Sequence, residues 1–177
     1  AGVPGIIYGL LGVSFLTVGV KDALNLLDGN TLFTAGLLLA IMILPTVLTL
    51  SEDALHSVSS EFREAAESLG LTKLQTALRV VIPQSLPGIV GAVLLVIGRA
   101  MGETIAVMLV VGSLDRVPGF NLFVSGQTIP SKLGREAAEA LGSGLHWNAL
   151  MGLGLTLFLI VAILTFSGHL FIKRSSQ

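Results

Sequence analysis

Four apolar runs, each near the length a bilayer demands, set what this chain can become. A helix crossing lipid needs roughly 20 apolar residues, and the runs are Pro4 to Val20, Leu32 to Leu50, Leu86 to Ser113 and Trp147 to Ile172. The first carries no charge and, at ~1.5 Å per residue, reaches only about 26 Å, so it spans marginally or begins upstream. In lipid every backbone polar group must be satisfied internally, which a helix does within one segment. Over its 177 residues the chain is 53% hydrophobic and 12% charged, about half the ~25% charge of a soluble domain. The expectation is an all-α membrane protein with about four spanning helices. Pro45 lies inside the second run and predicts a kink there, which membrane helices tolerate when neighbours satisfy the freed carbonyl.

The same composition removes several function classes. A net charge of −1 gives no basic surface for nucleic acid. Without cysteine there are no disulfides and no thiolate metal sites. No Gly-x-x-x-x-Gly-Lys-Ser/Thr loop is present to cradle a nucleotide, and no serine sits in a nucleophile motif. His169 reads as an interfacial residue, and no His/Asp/Glu cluster points to a metal or other cofactor. The chain opens at Ala1 within apolar sequence, without a charged leader segment, and reads as lacking upstream helices.

Between the second and third runs lies a polar, helix-forming stretch, residues 51–83. Phe62, Ala65, Ala66 and Leu69 fall at i, i+3, i+4 and i+7, one apolar stripe. Ser60 is the expected N-cap, with Glu61 suited to the positive helix N-terminus. Gly70 is a natural stop, after which Leu71, Leu74 and Leu78 begin a second stripe. Two short helices joined at Gly70 make an element that protrudes yet is rigid enough to carry force; an amphipathic helix lying in the interface is the plainer alternative.

The spacing here is Glu64-Ala65-Ala66, three residues, Gly70, nine residues, then Val80-Val81-Ile82-Pro83. It resembles the cytoplasmic signature of ABC importer permeases. Gly2-Val3-Pro4-Gly5-Ile6-Ile7-Tyr8-Gly9-Leu10 is similar to a membrane segment of the oxyanion importers in that family, and Gly98-Arg99-Ala100-Met101-Gly102-Glu103 resembles their Arg-x-x-Gly-Glu span. The continuation Glu103-Thr104-Ile105-Ala106-Val107, with Gly126-Gln127-Thr128-Ile129 and His146-Trp147-Asn148-Ala149-Leu150, is most like the C-type subunit of phosphate permeases.

The resemblance implies one type I ABC importer transmembrane domain over residues 1–177, missing its N-terminal helices. Residues 51–83 are its cytoplasmic coupling segment and residues 114–146 an extracytoplasmic loop. It also implies that Glu64, Ala65, Ala66, Gly70, Leu71, Lys73 and Pro83 couple to an ATP-binding ABC subunit, and that Arg99, Glu103 and Thr104 line the substrate pathway. The other implied partners are a sister phosphate permease subunit, an extracytoplasmic phosphate-binding protein and membrane lipid. The chain itself is then not an enzyme, and it lies in the cell (inner) membrane with the coupling segment and C-terminus cytoplasmic. Lysine and arginine are divided five against four between the two sides, so charge does not decide the orientation.

Arg99 and Glu103 are the only charges in the third run and stand four residues apart, one face of a continuous helix. Intramembrane charges are costly and face a pathway or each other. Two readings stay open: Arg99 attracts the anion while Glu103 tunes or gates it, or the two form a structural pair. The octapeptide at 63–70 is nearly repeated at 135–142. The second copy lacks the terminal proline and sits across the third run, so it reads as an ordinary exposed helix. A permease for molybdate, tungstate or sulfate is the neighbouring alternative. An ion-coupled transporter using Glu103 as proton carrier is the alternative from another class; it leaves the coupling signature unexplained.

Overall fold

The computed structural model describes residues 4–115 and 119–175, with side chains to residue 173. Among these residues the chain is helical apart from loops and an isolated parallel bridge between Gly112 and Gly126. The helices are α1 (Gly5–Leu24), α2 (Leu32–His56), α3 (Ser60–Ser68), α4 (Lys73–Met101), α5 (Ile105–Val110), α6 (Ile129–Ala140) and α7 (Leu145–Ser175). α1, α2, α4 and α7 are long and apolar enough to cross a membrane, which matches the number of spans expected.

The bounds of the third span differ from expectation. It runs Lys73–Met101, not Leu86 to Ser113. The helix extends upstream because Thr72 caps it: its hydroxyl accepts from the Gln75 amide and the Gln75 side-chain oxygen accepts from the Thr72 amide. The expected second short coupling helix is thus the first turn of a spanning helix. Downstream, α4 stops at Met101, where Gly102 donates back to the Arg99 carbonyl and Glu103 to that of Ala100. α5 restarts after three intervening residues and, with six residues, covers only about 9 Å. Hydropathy runs straight through this break because Ala106, Val107 and Val110 of α5 are apolar and buried in protein.

Two other local departures have physical causes. Ala77–Val81 forms a π turn, closed by the Ile82 amide on the Ala77 carbonyl. Pro83 has no N–H, and its ring crowds the carbonyl four residues back; a wider turn before it relieves both. Ser59, not Ser60, caps α3, accepting from the Glu61 amide. Ser60 is instead the first helical residue.

The chain falls into two compact units. In the unit of residues 1–44 and 99–161, α5 is the centre: Ala106, Val107, Val110 and Val111 are essentially inaccessible, packed with Ala35 and Leu38 of α2. α1 lies tight against α5, because a Cβ on Gly9 would stand 2.9 Å from the Ala106 Cα. The loop after α5 hooks the start of α2: Leu32 and Phe33 donate to the Val124 and Leu122 carbonyls. Those bonds satisfy amides that a helix N-terminus leaves open.

In the unit of residues 45–98 and 162–177, α4 and α7 cross closely at glycines. A Cβ on Gly91 would lie 2.7 Å from the Gly168 carbonyl oxygen. Small residues allow this approach, which is how membrane helices gain packing energy.

Candidate coupling elbow and pathway residues

α3 ends in a way its spacing dictates. Gly70 takes φ +84°, a left-handed conformation glycine adopts without the penalty a Cβ brings. The Gly70 amide donates to the Glu67 carbonyl at 2.9 Å and the Leu71 amide to the Ala66 carbonyl at 3.2 Å. This pair of bonds is the Schellman stop, in which an apolar residue just past the glycine packs back on the helix. Leu71 is correspondingly half-buried and Ala66 buried. The interval between Ala66 and Gly70 is therefore a termination code.

The Thr72–Gln75 capping box begins α4 directly after this stop, so few residues between the two helices remain free to move. Arg63 ties the other side, donating to the Leu55 carbonyl at the end of α2, 2.9 Å away. Of the expected stripe only Ala66 turns inward. Phe62, Ala65, Leu69, Leu74 and Leu78 are exposed, Leu69 at 82% and Leu74 at 69%. Glu64, Lys73 and Pro83 are exposed too. The elbow is hydrogen-bonded at both helix ends and presents an exposed apolar face.

The charges near the α4–α5 break are not arranged as a helical pair. The helix ends between them, and among the described residues Arg99 makes no ion pair or side-chain hydrogen bond. Arg99 is exposed on the last turn of α4, where a cation complements the helix dipole. Glu103 is half-buried; its Oε1 accepts from the Ala106 amide at 3.4 Å and faces Gly5, whose Cβ would lie 2.9 Å away. Thr104 is satisfied locally, donating to the Gly102 carbonyl, and its methyl fills the space a Cβ on Gly134 would take. The shared helix face is thus overturned; glycine at 102 and the Glu103 cap favour a fresh helix start instead.

The second copy of the octapeptide ends differently. Leu141 adopts ψ 119° at the end of α6, so no Schellman stop forms there. α6 is instead held by a polar network that its charge pattern alone did not announce. Lys132 bridges Asp115 at 2.8 Å and Glu136 at 2.6 Å, and Glu136 also meets His146 at 3.2 Å. Arg135 donates to the Ser113 carbonyl and hydroxyl. The Lys132 ammonium holds the Asp115 carboxyl below its ordinary value, and the two carboxylates push Lys132 upward. Among the described residues no group of acidic or histidine side chains is disposed to hold a metal.

Over residues 1–177 the chain matches the family described as binding-protein-dependent transport system inner membrane component. It is 35% identical to the phosphate transport system permease protein PstC of Mesorhizobium japonicum over 93% of this chain and 55% of that protein. Against the protein of that name from Pasteurella multocida the identity is 36%, over 98% of the chain and 59% of the relative. With that of Haemophilus influenzae it is 34%, over 100% and 61%. The chain thus spans under two thirds of the length of these relatives. No solved structure matches.

Proposed function

From a chain that belongs to the family of binding-protein-dependent transport system inner membrane components, we propose the membrane-spanning portion of a permease subunit in an ATP-driven phosphate importer. The permease carries no ATP chemistry of its own; an ATP-binding ABC subunit supplies it. A sister permease completes the pathway, and an extracytoplasmic binding protein delivers phosphate. The elbow and the C-terminus face the cytoplasm, and the stretch of residues 114–146 faces outward.

One observation carries this reading. The signature residues build a stiff elbow, fused to the first turn of a spanning helix, with its apolar stripe outward. A surface like that transmits displacement: a partner pushing on Leu69 and Leu74 moves α4 itself. At the far end of α4 stands Arg99, an exposed cation without a carboxylate partner among the described residues. A divalent oxyanion is attracted there, and Glu103, turned to cap α5, does not oppose it across an ion pair. Phosphate as the cargo rests on the similarity to phosphate transport system permease proteins.

The test is phosphate uptake by vesicles holding the full complex, wild type against Arg99→Gln, with assembly and ATP hydrolysis followed in parallel. Uptake lost with assembly and hydrolysis retained supports the pathway role. Joint loss of assembly assigns Arg99 to structure. Uptake of molybdate or sulfate in place of phosphate overturns the cargo.

A further inference from the structure

The unit of residues 45–98 and 162–177 contains a groove of about 260 Å³ lined by Leu50 and Ala54 of α2, Gly88 and Ala92 of α4 and Ile172 of α7, with Asp53 and Ser57 completing it. Its walls meet because Gly91 lets α4 approach α7, bringing Ile172 within 2.6 Å of where a Cβ would sit. Water gains nothing from these walls, which are apolar apart from the two α2 residues. The Ser57 hydroxyl already donates to the Ala54 carbonyl at 2.8 Å. Apolar walls of this kind favour an apolar guest over water.

Asp53 sets the chemistry at the rim. Past Leu50 the α2 sequence turns polar at Ser51, Glu52 and Asp53, so this residue stands where lipid gives way to water. It is exposed, and among the described residues its carboxylate has no hydrogen bond or ion pair. We propose that the groove holds an acyl chain of one phospholipid whose headgroup ammonium lies against Asp53. The occupant that fits is amphiphilic, with a chain for the dry walls and a cation for the rim.

The experiment uses the complete permease in its assembled transporter. Native mass spectrometry follows lipid retention on titration with phosphatidylethanolamine and phosphatidylglycerol of identical chains. One phosphatidylethanolamine is retained per copy, preferred by roughly fivefold, the ceiling for an exposed ion pair. Asp53→Asn lowers that preference below about twofold. Ala54→Phe, which fills the groove from a half-buried position, abolishes retention with subunit stoichiometry unchanged. Equal retention of both lipids by wild type overturns the proposal, as does a preference that survives Asp53→Asn. Preferential retention of phosphatidylglycerol would mean that a cation, not Asp53, holds the headgroup and would overturn it too. Loss of assembly in Ala54→Phe, with no headgroup preference in wild type, would mean a protein helix fills the groove.

Discussion

The amide of Leu71 donates to the carbonyl of Ala66 at 3.2 Å, and this bond joins the two halves of the family signature. It closes α3 over a left-handed glycine and delivers the chain to Thr72, where α4 is capped at once. Residues 66–75 are here first two interlocked helix ends. A push on α3 reaches α4 through two interlocked helix ends, with little slack to absorb it.

Gly70 is the position where that stiffness is most open to attack. Nothing lies within 4 Å of a Cβ built on it, while its φ is +84°. Gly70→Ala therefore adds strain without a clash, costing about 1 kcal/mol. Asparagine tolerates the left-handed region better, so Gly70→Asn lies between the two. Thermal unfolding of the purified complex orders them Gly, Asn, Ala; if the elbow couples as proposed, phosphate uptake per ATP hydrolysed falls in the same order.

The exposed stripe separates folding from partner binding. Leu74 is 69% exposed, and surface substitutions away from special features stay within ~0.5 kcal/mol. Leu74→Glu leaves the stability of the isolated permease unchanged. If the stripe is the ATPase contact, co-purification of the ATPase drops by at least tenfold, as when a buried interface anchor worth roughly 2 kcal/mol is removed. Undiminished co-purification would move the contact elsewhere.

Long apolar runs and the glycine stop were legible in sequence because each depends on local chemistry: hydropathy for the spans, a left-handed position for Gly70. The third span was misplaced because hydropathy does not distinguish lipid from a protein interior. Ala106 to Val111 are apolar since α1 and α2 cover them. Upstream, the Thr72–Gln75 pair is a readable cap within the polar stretch 51–83. The Arg99–Glu103 spacing misled for a related reason: i, i+4 implies a shared face only if the helix continues, and Gly102 ends it. The clasp of α6 was out of reach, since Asp115 and Lys132 are brought together by the fold of the intervening loop.

Glu103 can now be tested in two separate roles. Its Oε1 accepts from the Ala106 amide. Glu103→Ala removes that cap at about 1 kcal/mol. Glu103→Gln keeps an acceptor in place and holds stability within ~0.5 kcal/mol of wild type. Denaturation of the two variants checks the cap, and uptake by the glutamine variant then reports on the charge alone. Equal destabilisation by both would remove the capping assignment.

The crossing of α4 and α7 sets a steric limit. A Cβ on Gly91 would meet the Gly168 oxygen at 2.7 Å and the Ile172 amide nitrogen at 3.1 Å. Neither atom belongs to a flexible side-chain end, so the helices must part. Gly91→Ala costs about 1–3 kcal/mol, as overpacking does, while Gly36→Ala in α2, with nothing within 4 Å, is neutral or slightly stabilising. Thermal melts of the two variants make the comparison.

The clasp between α6 and the preceding loop carries its own pH dependence. Asp115 is held below its ordinary value of 3.8, chiefly by the hydrogen bond from Lys132. A depressed folded value means the contribution is complete above 3.8 and is lost as pH falls through the lower folded value. Lys132 is raised above 10.5, so its part is complete below 10.5 and fades as pH climbs through the raised value. Between those limits the clasp is insensitive to pH. The Ser113 and Gly126 amides, bonded to the Gly126 and Val111 carbonyls, report on it through hydrogen exchange. Asp115→Asn accelerates their exchange only modestly near neutrality, since solvent screens an exposed pair. After correction for intrinsic rates, that difference persists from neutral pH down to about 4 and collapses below it. A difference that vanished already at neutral pH would show the loop to be held by the Arg135–Ser113 bonds alone.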